Sequence, residues 1–554
     1  MTEKHAPEIE QRDGGFQLVK TLEQIFKDQI EIMQFGTKNN PNSLIYCYPF
    51  KHANRFQRRI LNAEFIQEKI TEKIKESVNN FTHVFYVHIS MQFGIMKVPL
   101  RKDIEIWTFP MFLTPSYQNS GEEVPSHYFE LEQQALQYSH HIITPSPLEK
   151  RQLLETYGLS QNSIHMVPRG VNQTYSPRTF LNEGPAFCSI GSIKRQKNTL
   201  ELIHFFNDIK HVYPKATLKI IGAVQDEAYA AEVLFAIKKL GLDQSINMMG
   251  YIPHADIPKT IAECHIHLST SCSETFGRSI FETLAQGIPN IVRRGNNAAY
   301  DFLKNKPYIC FSKNKKRAFK FIQYILANFE DFSKQVSEIG FLFNESRFQK
   351  ILKATILKKE SMVFADFDGT LFHKDDVEKT KRCIVAFNKF PLKVICSARG
   401  KEDILSQSKI LGINVNWIIS YGGAVISNVE GEDCLVSPLD LKTLLFLEST
   451  LHTKRILYKS HVLQLETSPP LKTLPVKCRM EIYQNKGYLS SWTSFKLQAI
   501  LKLLDHIQWD GRIKAFGDGP YDEDFLTYFD GTLITPHPTH HNQKKEMIYE
   551  KYLL

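Results

Sequence analysis

Apolar residues in this chain follow two alternating rhythms. Short unbroken apolar runs suit strands buried on both faces. Longer stretches with apolar positions at helical spacing suit helices with one buried stripe. In the first part of the chain this pattern predicts strands at Ser43–Tyr48 and Val84–His88 and a helix over Phe56–Ser77. Pro115–Val124, rich in Pro, Ser, Gly and Asn, predicts a loop at a functional edge. From Ala186 the alternation becomes regular. Strands are predicted at Phe187–Ile190, Thr217–Ile221, Ile246–Met249 and Ile266–Ser269, with helices at Thr199–Val212, at Ala228–Leu240 and from near Gly277. Such alternation predicts a parallel sheet with helices on both faces and ligands at the carboxyl ends of its strands. Lys313–Lys359 reads as helices, and the strand Ser361–Ala365 restarts the pattern.

These rhythms divide the 554 residues into a disordered tail (1–15) and three α/β stretches, 16–170, 171–359 and 360–554. The formal net charge of +9 is a mild basic bias for this length, suited to anionic substrates. No dense basic stripe suggests a nucleic-acid partner. The nine cysteines are scattered, without a CxxC pair, which predicts reduced thiols with neither a zinc site nor a disulfide framework. Met1–Gly15 lacks the apolar core of a signal peptide, and no apolar run is long enough to span a bilayer. A cytoplasmic location is expected, with peripheral membrane contact left open and the oligomeric state unread.

The chemistry of the middle stretch centres on Ser273–Pro289, SETFGRSIFETLAQGIP. Glu274 follows a strand, Phe276 and Gly277 open a helix, and Glu282 lies within it. A helix N-terminus suits a diphosphate, and carboxylates beside it suit sugar and ribose hydroxyls. This pattern resembles the donor site of retaining glycosyltransferases of the GT-B fold, family four. Gly191–Asn198 (GSIKRQKN) resembles that family's phosphate loop, and Gly250–Ile257 (GYIPHADI) its base-cradling loop. The resemblance implies a double Rossmann-like GT-B architecture, with 16–170 as acceptor domain and 171–359 as nucleotide-sugar domain. It implies a UDP-, GDP- or ADP-sugar held by Gly191, Ser192, Lys197, Tyr251, Ile252, Thr275, Phe276, Gly277 and Glu282, with Glu274 beside the reacting carbon. Ser192 stands where the family often has Arg, and Lys194 or Arg195 is a candidate to supply that charge. Pro110 stands where the family often has His; His88 is a candidate for part of that role.

In the last stretch, Val363–Leu371 (VFADFDGTL) puts two carboxylates on a tight turn after a buried strand. It resembles the first motif of the haloacid dehalogenase superfamily, whose remaining motifs follow in order: VICSAR (394–399), Lys496 in a helix, and FGDGPYDEDFL (516–526). The resemblance implies Asp366 as nucleophile, Asp368 as general acid and base, and Lys496 as charge balance. It implies Ser397, Arg399, Gly369 and Thr370 around the phosphate, with Mg²⁺ at Asp366, Asp368, Asp518 and Asp522. Residues 421–489 fall where a small α+β cap inserts in the sugar-phosphatase branch.

Together the resemblances imply a bifunctional enzyme: sugar transfer from a nucleotide-sugar to a small sugar or sugar-phosphate acceptor, then Mg²⁺-dependent dephosphorylation through an aspartyl-phosphate. The layout is similar to sucrose-phosphate synthase. The alternative is a polysaccharide or natural-product glycosyltransferase whose phosphatase stretch acts on an unrelated ester or only regulates.

Overall fold

The computed structural model describes the chain from 14 to 534 with gaps, the longest being 36–43, 47–55, 65–77, 172–183 and 468–477. Residues 1–13 of the predicted tail and most of the helix predicted over Phe56–Ser77 lie outside the described residues, whereas Gly14 and Gly15, predicted in the tail, open the helix Gly14–Phe26. The chain divides into two compact units. One comprises the described residues up to Pro168 with two later segments, Ser271–Gly277 and Gly295–Ala298. The other holds Arg169–Thr270, Arg278–Arg294 and the chain from Ala299 onward.

In the first unit, His83–Val87, Glu105–Phe109, His141–Thr144 and Ile164–Met166 form a parallel sheet in that order. Its core gathers Ile89, Phe93, Leu113, Tyr117, Tyr128, Leu136 and Leu153. The predicted loop at Pro115 begins instead as a short helix, Thr114–Gln118, with Pro in its first turn. The missing N–H of proline costs nothing there, so a composition that reads as loop also starts a helix.

In the second unit, a six-stranded sheet has the order 309–311, 290–292, 266–269, 186–190, 217–221, 246–250, with every pair parallel. The strand Ala186–Ile190 lies inside it because its residues are apolar on both faces. A seven-stranded sheet follows, ordered 433–436, 425–428, 417–420, 392–396, 361–365, 512–517, 532–533. Its interior strand Ser361–Ala365 is wholly buried. A separate antiparallel sheet of 453–458, 461–467, 486–491 and 478–483 is inserted between its edge and the helix Lys496–His506.

The two sheet systems of this unit meet through built contacts. Lys306 pairs with Asp524 (2.8 Å), Lys304 with Glu523 (2.5 Å) and Arg347 with Asp505 (2.7 Å). The buried Tyr528 hydroxyl donates to the Leu342 carbonyl (2.7 Å).

Candidate functional site

At the carboxyl end of the strand Ala186–Ile190, Gly191 starts the loop that ends in the short helical turn Arg195–Lys197. The Lys197 stem lies over Gly191, where an added Cβ would meet its Cδ at 3.4 Å. Gly222 ends the neighbouring strand at φ +156°, and a Cβ there would overlap the Gly191 carbonyl. Only glycine allows two strand ends to approach so closely. Thr270 Oγ1, after the third strand, donates to the carbonyls of Lys197 and Asn198 (3.1 and 3.0 Å) and pins the loop. Ser192 lies within this loop. Arg195 pairs with Glu232 (2.5 Å), so its charge is already engaged.

The helix Arg278–Ala285 carries Glu282. Its Oε1 accepts from Arg278 Nη2 (2.7 Å) and meets His254 Nε2 (2.9 Å). Burial pushes this carboxyl up, but Arg278 and His254 outweigh it and hold it at about 2. Glu282 is therefore an anion at neutral pH, with only 16% of its side chain exposed. Arg278 was legible as an i,i+4 partner; His254 was hidden in the loop GYIPHADI until the fold brought it across. Tyr251 and Ile252 follow the strand Ile246–Gly250, and Ile252 packs beside Cys188, Ile221 and Cys264.

Glu274, Thr275, Phe276 and Gly277 belong to the first unit. There Ser273–Glu274 pairs in parallel with Asn296–Asn297, and the Ala298 N–H donates to the Glu274 carbonyl (2.9 Å). Phe276 is buried, Gly277 has φ +83°, and the helix starts one residue later than the sequence predicts.

A second constellation lies at the carboxyl ends of the seven-stranded sheet. Asp366 follows the buried strand Ser361–Ala365 and is 6% exposed. Lys496 Nζ donates to Asp366 Oδ1 and Asp522 Oδ1, both at 2.6 Å. Asp522 Oδ2 accepts from the N–H groups of Asp518 (3.0 Å) and Gly519 (3.2 Å). Oxygens of Asp366, Asp518 and Asp522 all lie within 4.8 Å of one another. Burial pushes the Asp366 carboxyl up; Lys496 pulls it down, and Asp522 and Asp518 push it up again. Lys496 stays protonated because these carboxylates outweigh its burial. Three carboxylates against one ammonium leave an excess of negative charge in a buried place. An all-oxygen set with that excess fits a hard divalent cation.

Gly369, at φ +77°, lies so close that a Cβ would overlap the Asp518 carboxylate. The Thr370 hydroxyl is buried and has no hydrogen-bond partner among the described residues. Ser397 Oγ, also buried, accepts from the Arg399 N–H (3.2 Å). The Asp368 carboxylate stands apart from the other three. It is 51% exposed and held by both arms of Arg399 (2.7 and 2.6 Å), which also reaches Asp403 (2.9 Å).

With this geometry in hand, residues 173–340 match the family model described as glycosyl transferases group 1. The mannosylfructose-phosphate synthase of Agrobacterium fabrum (strain C58) is 26% identical over 167 residues, 27% of this chain and 37% of that protein. The match thus spans little more than a third of that curated relative. Among solved structures, sucrose-phosphate synthase from Thermosynechococcus elongatus superposes at a TM-score of 0.52 and 15% identity, covering 62% of this chain and 93% of that one. Anabaena HepE, solved with UDP and glucose, reaches 0.50 at 12% identity, covering 62% and 96%. The fold is GT-B. The group 1 match includes Gly191, Ser192, Lys197, Tyr251, Ile252, Glu274, Thr275, Phe276, Gly277 and Glu282. The carboxylate constellation from Asp366 onward lies beyond it.

Proposed function

We propose that this GT-B chain transfers a sugar from a nucleotide diphosphate donor to a phosphorylated small sugar, and that its last stretch then removes the phosphate. The reading is carried by one observation: the Lys496-centred carboxylate cluster belongs to the same compact unit as the donor-type loop, a unit whose two sheet systems are linked by ion pairs such as Lys306–Asp524. The names of two similar proteins, sucrose-phosphate synthase and mannosylfructose-phosphate synthase, both describe a phosphorylated product. HepE with UDP and glucose supports a UDP-sugar donor.

For transfer, Lys197 and the N–H groups opening the helix at Arg278 neutralise the departing diphosphate. Ionised Glu282 accepts from ribose hydroxyls, and Glu274 from hydroxyls of the donor sugar. For hydrolysis, Asp366 attacks phosphorus, the bond to the sugar oxygen breaks, and Asp368 gives that oxygen its proton. Water, deprotonated by Asp368, then cleaves the aspartyl-phosphate and releases phosphate. An incoming phosphate competes for Arg399, which releases Asp368 to act as acid. Asp366, Asp518 and Asp522 would hold Mg²⁺, whose charge offsets that of phosphate and carboxylates. The 421–489 insertion acts as cap. Among the described residues, no helix is long and apolar enough to cross a membrane.

The test uses the full chain with Asp366→Asn, UDP-sugars and phosphorylated acceptors, followed by mass spectrometry. The variant accumulates a phosphorylated glycoside that wild type converts to the free glycoside. The same product from both proteins rejects the sequence of steps.

A further inference from the structure

His88 directly follows the strand His83–Val87, at the carboxyl end of the first unit's sheet. Ligands of open α/β sheets gather at such ends. Its backbone is held at φ +81°, ψ 124°, a conformation that a residue with a side chain adopts only under constraint from its surroundings. The constraint is visible. Arg59 Nη2 lies 2.9 Å from His88 Nε2, and Arg59 Nη1 donates to the hydroxyls of Tyr117 (2.9 Å) and Tyr128 (3.0 Å). A guanidinium can only donate, so His88 Nε2 accepts from it, while the N–H (3.2 Å) and Oγ (2.9 Å) of Ser90 both lie at Nδ1. Burial and the Arg59 charge together keep this imidazole neutral.

Every one of these partners is uncharged. No carboxylate lies within ion-pair distance of Arg59 among the described residues. The neighbouring acid, Glu132, accepts from the Thr114 N–H (3.0 Å) and the Tyr157 hydroxyl, and its charge acts on Arg59 from beyond ion-pair distance. A half-buried cation whose hydrogen-bond partners among the described residues are all neutral favours an anionic ligand. These bonds also leave part of the guanidinium fork unused among the described residues. Arg59 and His88 are both half-buried, at the edge of the core that buries Tyr117 and Tyr128.

The location adds a second constraint. Tyr117 lies on the helix Thr114–Gln118, which packs against the strand Ser273–Glu274 within the same unit. The guanidinium thus stands one short helix away from the carboxylate assigned to the donor sugar.

We infer that Arg59, backed by His88, Tyr117 and Tyr128, forms the subsite that binds the phosphate monoester of the sugar acceptor. The inference rests on the reading of this unit as the acceptor side. Arg suits the task because its planar fork meets two phosphate oxygens at once. Tyr117 and Tyr128 hold the fork's far side, and neutral His88 fixes its plane without adding charge.

The test is calorimetric binding to the full-length Asp366→Asn chain in EDTA, with fructose 6-phosphate, fructose, inorganic phosphate and UDP as separate probes. Fructose 6-phosphate should bind at least tenfold more tightly than fructose. Arg59→Gln should remove most of that preference and weaken inorganic phosphate in parallel, with UDP affinity unchanged within twofold. Arg59→Lys, which keeps the charge but loses the fork, should lose about fivefold for fructose 6-phosphate. It decides the question if circular dichroism shows that Arg59→Gln does not fold. Unchanged fructose 6-phosphate affinity in a folded variant overturns the inference. An equal loss of UDP affinity also overturns it, by moving the cation to the donor diphosphate. A parent chain that binds UDP but neither phosphate probe overturns the subsite and leaves the transferase reading standing. A parent chain that does not bind UDP or UDP-sugars fails the transferase reading itself.

Discussion

Replacing Lys496 by methionine keeps the length and apolar stem of the side chain and deletes its charge. In the wild-type chain that charge sits 2.6 Å from both Asp366 and Asp522, and the side chain is 5% exposed. Lys496→Met leaves Asp366, Asp518 and Asp522 clustered without a cation. Breaking a buried pair in this way costs about 3–5 kcal/mol. For a stretch of this size each kcal/mol moves the melting temperature by about 2–4 °C, so a fall of roughly 10 °C is expected. The deficit also has a sign with pH. Burial, Asp522 and Asp518 raise the Asp366 carboxyl pKa in the folded state, and loss of the Lys496 charge that opposes them raises it further. Between the unfolded and folded values the folded chain therefore binds more protons, and stability falls as pH rises. Scanning calorimetry of the full chain in EDTA should show a larger deficit near pH 8 than near pH 5. Adding Mg²⁺ should recover part of it. A variant that melts with wild type at both pH values, or is more stable at the higher one, refutes the account of the cluster.

Three further outcomes follow from the two sites. Glu282→Ala should weaken UDP-sugar binding by about tenfold, the scale of one charge-assisted hydrogen bond, whereas Glu274→Ala should lower turnover more than binding; titration calorimetry and initial rates separate the two. Chelation should abolish release of phosphate from small esters and leave sugar transfer intact, so transfer that stops with EDTA and returns with Mg²⁺ contradicts a donor site built from Lys197 and a helix N-terminus. Glu282 is held down at about 2 against an ordinary 4.5, so it contributes up to about 3 kcal/mol that is fully present above pH 4.5 and disappears as pH falls towards 2; melts of wild type and Glu282→Gln should converge over that window, and a constant gap would sink the assignment.

Much of the architecture was legible because it depends on local periodicity. The strands around 187–190, 217–221, 266–269 and 361–365, and the helices that follow them, are written in the spacing of apolar residues. The loop predicted over Pro115–Val124 holds from Asn119 onward, but its start is helical, since proline serves a helix's first turn as readily as a loop. Glu282, Lys197, Asp366, Lys496, Asp518 and Asp522 were singled out by resemblance to family motifs, and the fold gathers Lys496 with Asp366 and Asp522.

What the sequence by itself determined, then, was which residues stand at strand ends and helix starts. Those placements are set within a window of a few residues by periodicity and by glycine. Only tertiary structure decided what each of those residues faces. His254 meets Glu282 across 28 positions, Lys496 meets Asp366 across 130, and Arg59 meets Tyr128 across 69. Asp368, two residues from Asp366, is turned away to Arg399. Charge and burial at a site are sums over neighbours brought from far along the chain. No local pattern encodes such sums, so the ionised Glu282, the raised Asp366 and the neutral hydrogen-bond partners of Arg59 become visible only once the sheets are assembled.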